Sequence, residues 1–279
     1  MAKVTMKRLT ELIHDEYQER KIAFEVKNTP VYYASPLISL SSVQTDILND
    51  GDGQTTEQYK QINSSTGLAV NYYKILESLG KISDLIFENK VARPLNRGGR
   101  HANIDVSYKR DGVIYFVESK FLEPYYGGNE NIKDSYFDVS KYPLEVKSHQ
   151  SEWHDLFMHS KKFSYYNFSQ LCRHLLAIYR YTHGIKHSNY QGEPVILQSV
   201  TWEMTNKFME KLDESNRRDM KDRNDMLRKE SEECQKIISS FINQIRWNNM
   251  NFQTSHYNDM LEDIKSSKFY KDFCKRYFF

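Results

Sequence analysis

The chain has 279 residues, 39% of them hydrophobic and 14% aromatic, which supports a real core in one large domain or in a domain with helical extensions. A formal net charge of +2 excludes a global electrostatic field for nucleic acid, so any such surface must be a local patch. Three widely spaced cysteines argue against a disulfide framework and a structural zinc site and fit a reducing cytoplasm, and no apolar run approaches the roughly 20 residues that span a bilayer.

Residues 5–25 read as an amphipathic helix without the h-region of a signal peptide. Residues 35–48 give a mixed signal, and 49–65 are polar and glycine-punctuated, which suits a linker or an exposed loop. A helix is predicted over 66–79, with Ser64, Ser65 or Thr66 as N-cap, Leu68, Tyr72, Leu76 and Leu79 as its buried stripe, and Gly80 as its stop. A strand follows near 85–91. The next stretch, KVARPLNRGGRH, holds Lys90, Arg93, Arg97 and Arg100 and no acid. A basic loop with glycines suits contact with a phosphate backbone, and a plainly solvated loop is the alternative.

The stretch IDVSYKRDGVIYFVESKF, residues 104–121, reads as a hairpin. Residues 104–109 alternate apolar and polar, and 113–117 are β-branched and aromatic. Asp111-Gly112 between them is a preferred two-residue loop, because both central positions need φ > 0. Arg110 then pairs with Val113, and the register carried along the strands sets Asp105 opposite Glu118. Lys120, two residues on, points to the same face as Glu118. Facing carboxylates repel and cost the hairpin up to roughly 1 kcal/mol. A divalent cation between the oxygens would relieve this, and Lys120 would reach past it toward an anion. An amphipathic hairpin with a solvated charged face is the competing reading.

Beyond the hairpin, residues 123–151 look irregular, 163–181 helical, 194–202 a buried strand, and 206–247 a long helical pattern. Acids and bases alternate and nearly balance over 207–230, seven to eight, so that segment is not expected to bind DNA. KSSKFYKDFCKRYFF at the end mixes bases and aromatics, and is expected to form a helix burying Phe269, Phe273 and Tyr277 rather than a nucleic-acid surface. No HxH or HExxH, no GxxxxGK[ST] and no GxSxG occurs.

Asp105 followed by Glu118-Ser119-Lys120 at the end of a hydrophobic strand resembles the D…(D/E)xK signature of the PD-(D/E)xK nuclease superfamily. The runs ESKFLEPY (118–125), SSTGLAVN (64–71) and QLCRHLLAIYR (170–180) look like its bacterial restriction-endonuclease-like branch, over roughly residues 61–205. The Pro-Asp that names the superfamily is Ile104-Asp105 here. A rival triplet, Glu145-Val146-Lys147 with Asp138 upstream, follows Pro143 and lacks a preceding apolar run.

The resemblance implies an α/β fold, a restriction-endonuclease-like core with a mixed sheet of four to five strands flanked by helices, and helical N- and C-terminal extensions. The expected division is an N-terminal helical extension and linker at 1–60, a nuclease core at 61–205 and a C-terminal helical region at 206–279. It implies Asp105 and Glu118 as ligands of Mg²⁺, for which Mn²⁺ would substitute, and Lys120 as partner of the attacking water. Glu77, late in the first core helix, matches the place from which the family often supplies a further acid to the metal, and Glu88 is a lesser candidate for that role. Gln170 and Arg173 match the helix whose polar side chains face the cleft, Gln170 or Arg173 toward the phosphate, with His174 in the same polar trio. The implied activity is metal-dependent hydrolysis of DNA, double-stranded in the first instance, in restriction or anti-phage defence. A repair or recombination nuclease and an inactive nucleic-acid-binding module are the alternatives. Double-strand cutting normally takes two active sites, so a homodimer is expected, with no membrane partner.

Overall fold

Asp111 and Gly112 form the predicted turn, with φ of 52° and 76°. Arg110 pairs with Val113 and the ladder runs back to Val106 opposite Val117. That hairpin is the middle of a sheet, seen in a computed structural model that describes residues 4–28, 31–49, 57–96, 100–126, 132–184 and 190–278.

The chain begins with helix α1 (Met6–Glu19), a small antiparallel pair β1 (Glu25–Asn28) and β2 (Val31–Tyr33), and helix α2 (Ser42–Asn49). Helix α3 (Ser65–Ser78) follows, capped by the Ser64 hydroxyl, which accepts the Gly67 N–H at 3.1 Å. Gly67 is required there, since a Cβ would come within 2.4 Å of the Tyr59 carbonyl oxygen. Strands β3 (Ser83–Lys90), β4 (Asn103–Arg110) and β5 (Val113–Lys120) then run antiparallel. Short helix α4 (Glu123–Tyr126) leads into 3₁₀ turns and helix α5 (Gln150–Met158), so the stretch read as irregular is built of short helical pieces. Helix α6 (Phe168–His183) crosses over to β6 (Val195–Thr201), parallel to β5. Helices α7 (Asn206–Met209) and α8 (Glu214–Gln244), strand β7 (Met250–His256) and helix α9 (Tyr270–Tyr277) complete the fold.

The sheet order is β3-β4-β5-β6-β7, with β7 parallel to β6. The architecture is thus α/β, a five-stranded mixed sheet flanked by helices, as expected. Residues 206–279 are not all helical, however. Met250–His256 hydrogen-bonds along the whole of β6, so the expected boundary between 205 and 206 passes through the sheet. The segment escaped the periodicity because MNFQTSH buries only its first, third and last residues. Helix α9 packs as expected for Phe273 and Tyr277, both buried, with Phe269 partly so.

Alternation along β5 divides its last residues between two faces. Ser119 turns toward α3, its hydroxyl 2.8 Å from the Tyr257 hydroxyl, and Tyr257 meets the Tyr72 ring edge-on. Glu118 and Lys120 turn the other way, toward α6. Glu145-Val146-Lys147 lies in a 3₁₀ turn, not on a strand.

Candidate active site

The β4–β5 ladder ends at Val106–Val117, one step before Asp105 and Glu118. As the strands part, the Ser119 backbone N–H is taken by the Asp105 carboxylate, at 2.7 Å. Glu118 is 1% exposed, and each of its oxygens meets a base. Lys120 Nζ lies 2.5 Å from Oε1, and His174 Nε2 on α6 lies 2.9 Å from Oε2.

A third acid stands on the other flank. On β3, Phe87 faces Val106 and Asn89 faces Ile104, so the register sets Glu88 opposite Asp105. Glu88 has φ of 51°, a left-handed conformation costing a non-glycine residue on the order of 1–3 kcal/mol. Phe87 and Glu88 are consecutive and both buried, a departure from strict alternation. The Glu88 carboxylate accepts hydrogen bonds from the Asn103 amide and, at 3.4 Å, from the Thr66 hydroxyl at the N-terminal end of α3.

Charge follows this geometry. Burial, then the Glu118 carboxylate, pushes the Asp105 carboxyl well above its usual range, against the pull of Lys120. Burial also raises Glu88, with the Asn103 hydrogen bond opposing and Glu118 adding to it. Glu118 goes the other way: burial would raise it, but Lys120 and His174 outweigh that and hold it below the usual carboxylate range. For Lys120, burial works against the ammonium, and Glu118 and Asp105 more than restore it.

Crowded carboxylates that hold protons tightly are what a hard cation would relieve. Asp105 and Glu118, with Glu88 and the buried, unpartnered Asn103 Oδ1 behind them, offer oxygen donors of the kind Mg²⁺ or Mn²⁺ takes. Among the described residues, no three His, Cys, Asp or Glu side chains converge as ready ligands. Mg²⁺ usually takes one or two carboxylates and completes its shell with water and phosphate, so two suffice.

Not every residue singled out by sequence joins this cluster. Glu77 ion-pairs with Lys74, three residues back on α3. Thr66, not Glu77, is the α3 residue that reaches Glu88, and eleven residues of helix put Glu77 about 16 Å further along the axis. Gln170 lines the site, its Oε1 accepting from Asn167 at 2.8 Å. Arg100 and Arg173 line a cleft of about 820 Å³ whose floor carries Asn103 and His174. Lys90 lines a different cavity, with Asp84 and Tyr181. Arg93 is exposed, and its backbone carbonyl is held by Arg180 Nη1 at 2.5 Å. Arg97 lies outside the described residues. Lys133 and Lys141, which the sequence did not single out, join Arg100 and Arg173 in the cleft, and no acid is among the described residues that line it. Lys141 also pairs with Asp138 at 3.2 Å. Only folding of the 132–149 stretch against the 91–103 segment, through Asn96 to the carbonyls of Lys141 and Tyr142, brings these lysines there.

A five-stranded mixed sheet with Asp105 and Glu118-Ser119-Lys120 at the open end of its central hairpin, under a cationic cleft, defines a restriction-endonuclease-like protein. The family model described as "Restriction Endonuclease associating with ARP" matches residues 7–278, and the chain belongs to that family. No curated protein and no solved structure matches it.

Proposed function

We infer that this chain is a divalent-metal-dependent endonuclease that hydrolyses DNA phosphodiester bonds, in a restriction or other anti-phage role. The observation that carries the reading is the grouping of Asp105, Glu118 and Lys120 at the open end of the β4–β5 hairpin, next to a cleft lined by Arg100, Lys133, Lys141 and Arg173 to which His174 and Gln170 link it. Family membership supports nuclease chemistry, and the cationic cleft supports a polyanionic substrate.

Asp105 and Glu118 would hold Mg²⁺, or Mn²⁺ in its place, with Glu88 behind them. Bound there, the ion would supply Lewis-acid polarisation of the scissile phosphate and activation of a water. Lys120, kept charged by Glu118, acts as a fixed positive group for the charge that develops on phosphate. His174 holds the second oxygen of Glu118 and so sets the carboxylate's orientation. Arg100, Arg173, Lys133 and Lys141 place the backbone without reading sequence.

The test is cleavage of plasmid and phage DNA by the purified chain with Mg²⁺, with Mn²⁺ and with EDTA, beside Asp105→Ala and Lys120→Ala. Metal-dependent cutting lost in both variants, with their circular dichroism unchanged, supports the reading. Absence of cutting together with no Mn²⁺ binding by calorimetry overturns it.

A further inference from the structure

Two cavities meet at Gln170, and their linings differ in kind. The larger, described above, is cationic, with no acid among the described residues that line it. The smaller, about 360 Å³, is lined by Glu118 and Lys120 themselves and walled beyond them by Tyr126, Tyr165 and Pro124, with Glu123, Ser199 and Thr201 among its other polar groups. Past Lys120, the Glu123 carboxylate makes the tyrosine-walled part a poor place for a second phosphate. A neutral, flat, polar-edged group meets no such penalty, since tyrosine faces stack bases of any sequence.

The walls are held from behind by α8. The Glu230 carboxylate accepts the backbone N–H groups of Ser164, Tyr165 and Tyr166 at 2.8, 2.9 and 2.7 Å. The Arg223 guanidinium sits over the Tyr165 ring, 5.2 Å from its centroid, and donates to the Tyr125 carbonyl at 2.9 Å. Both tyrosine walls are therefore braced before any ligand arrives. Glu123 accepts the Phe121 N–H with one oxygen, at 2.9 Å, and no hydrogen bond to its other oxygen comes from the described residues. Tyr126 and Glu123 line the same cavity, and burial, then this carboxylate, pushes the Tyr126 hydroxyl up to about 12.

Resting on the nuclease reading, we propose that this cavity takes one unstacked nucleobase of the substrate strand, beside the phosphate that Lys120 addresses. The backbone follows the cationic cleft, and the adjoining base turns into the tyrosine-walled cavity. Glu123 favours a base that carries an exocyclic amino group, cytosine or adenine, over thymine, because a carboxylate can only accept. Unstacking a paired base costs a few kcal/mol, so single-stranded or mismatched DNA is the better substrate.

The experiment uses the full chain in EDTA, where no cutting occurs, with fluorescent 12-nucleotide oligo(dC), oligo(dA) and oligo(dT) followed by anisotropy. Tyr126→Ala is expected to weaken oligo(dC) binding about 5- to 100-fold, with Tyr126→Phe close to wild type. Glu123→Gln is expected to erase the preference of oligo(dC) over oligo(dT) while the thermal melt stays in place. In Mg²⁺, a mismatched duplex is expected to be cut faster than its fully paired counterpart. Equal binding by wild type and Tyr126→Ala, no binding of any oligonucleotide, or paired duplex cut as fast as mismatched would overturn the base pocket. Those results leave the nuclease reading standing if Asp105→Ala still abolishes cutting, so the two failures are separable.

Discussion

His174 Nε2 and Lys120 Nζ grip opposite oxygens of one buried carboxylate, that of Glu118, at 2.9 and 2.5 Å. The lysine is two residues away on the same strand, and the histidine comes from α6, fifty-six residues further along the chain. Asp105 holds the next backbone N–H, that of Ser119. Three elements, β4, β5 and α6, are thus tied together around one glutamate.

Replacing His174 by Ala leaves that glutamate with one partner. Groups that orient a metal ligand are typically worth 10–100-fold in affinity or activity. We expect cleavage to fall by about that factor and Mn²⁺ binding to weaken. Thermal stability should drop by about 1–3 kcal/mol, the cost of a buried charged group losing a contact. His174→Gln, which can still donate, should recover part of all three. Steady-state cleavage, calorimetry and a melting curve read the result; unchanged metal binding and rate would remove His174 from the site.

Glu88 and Glu77 give a paired test. Glu88→Gln removes an acid that faces Asp105, and cleavage is expected to fall about tenfold or more. Glu77→Gln breaks only a partly buried pair with Lys74, worth about 1 kcal/mol, and should cut within twofold of wild type. The reverse order of effects would return the third acid to α3.

Glu230 accepts three consecutive backbone N–H groups from the 164–166 loop. Glu230→Ala strands those donors and should cost about 2–4 kcal/mol, given about 1–3 kcal/mol for an unsatisfied buried group. Differential melting gives the loss. Limited proteolysis should show new cleavage within residues 163–167, and its absence would mean the loop is held by other contacts.

Glu16 links stability to pH. Burial would raise its carboxyl, but the ion pairs with Lys211 and Arg20 outweigh that and hold it below 4.5. A carboxyl lowered by folding contributes stability that is present above its unfolded value and lost as pH falls through the folded one. Stability should therefore fall below about pH 4.5, and Glu16→Gln should flatten that part of the profile while costing about 1–2 kcal/mol at neutral pH. Urea midpoints from pH 3 to 7 measure both; a parallel downward shift at every pH would assign the loss to packing alone.

A chain ended at Trp202 would lack β7, α8 and α9. Losing the buried Leu227, Ile238, Phe241, Phe252 and Phe273 removes about 8–15 kcal/mol at about 1.5–3 kcal/mol each, as much as a domain's whole stability. No cooperative melt is expected from it, and a folded, active fragment would show that β7 only decorates the sheet.

The sequence by itself determined what is local. Asp111-Gly112 fixed the turn, period two fixed the faces, and together they put Asp105 beside Glu118 with Lys120 on the same side. An α3 cap among Ser64, Ser65 and Thr66, with Ser64 the one found, and the α9 packing residues Phe273 and Tyr277 were legible for the same reason, because neighbours in the chain decide them. Tertiary structure alone decided the rest. Glu88 faces the site through a left-handed backbone that nothing in SDLIFENK announces, and His174 finds Glu118 only when α6 crosses the sheet. Lys133 and Lys141 reach the cleft only when their stretch folds against residues 91–103, and β7 becomes a strand only because β6 offers it an edge. The dividing line is physical. A turn type and a side-chain period are set by φ, ψ and the next few residues, whereas a contact between distant residues exists only once the core has chosen which faces to bury.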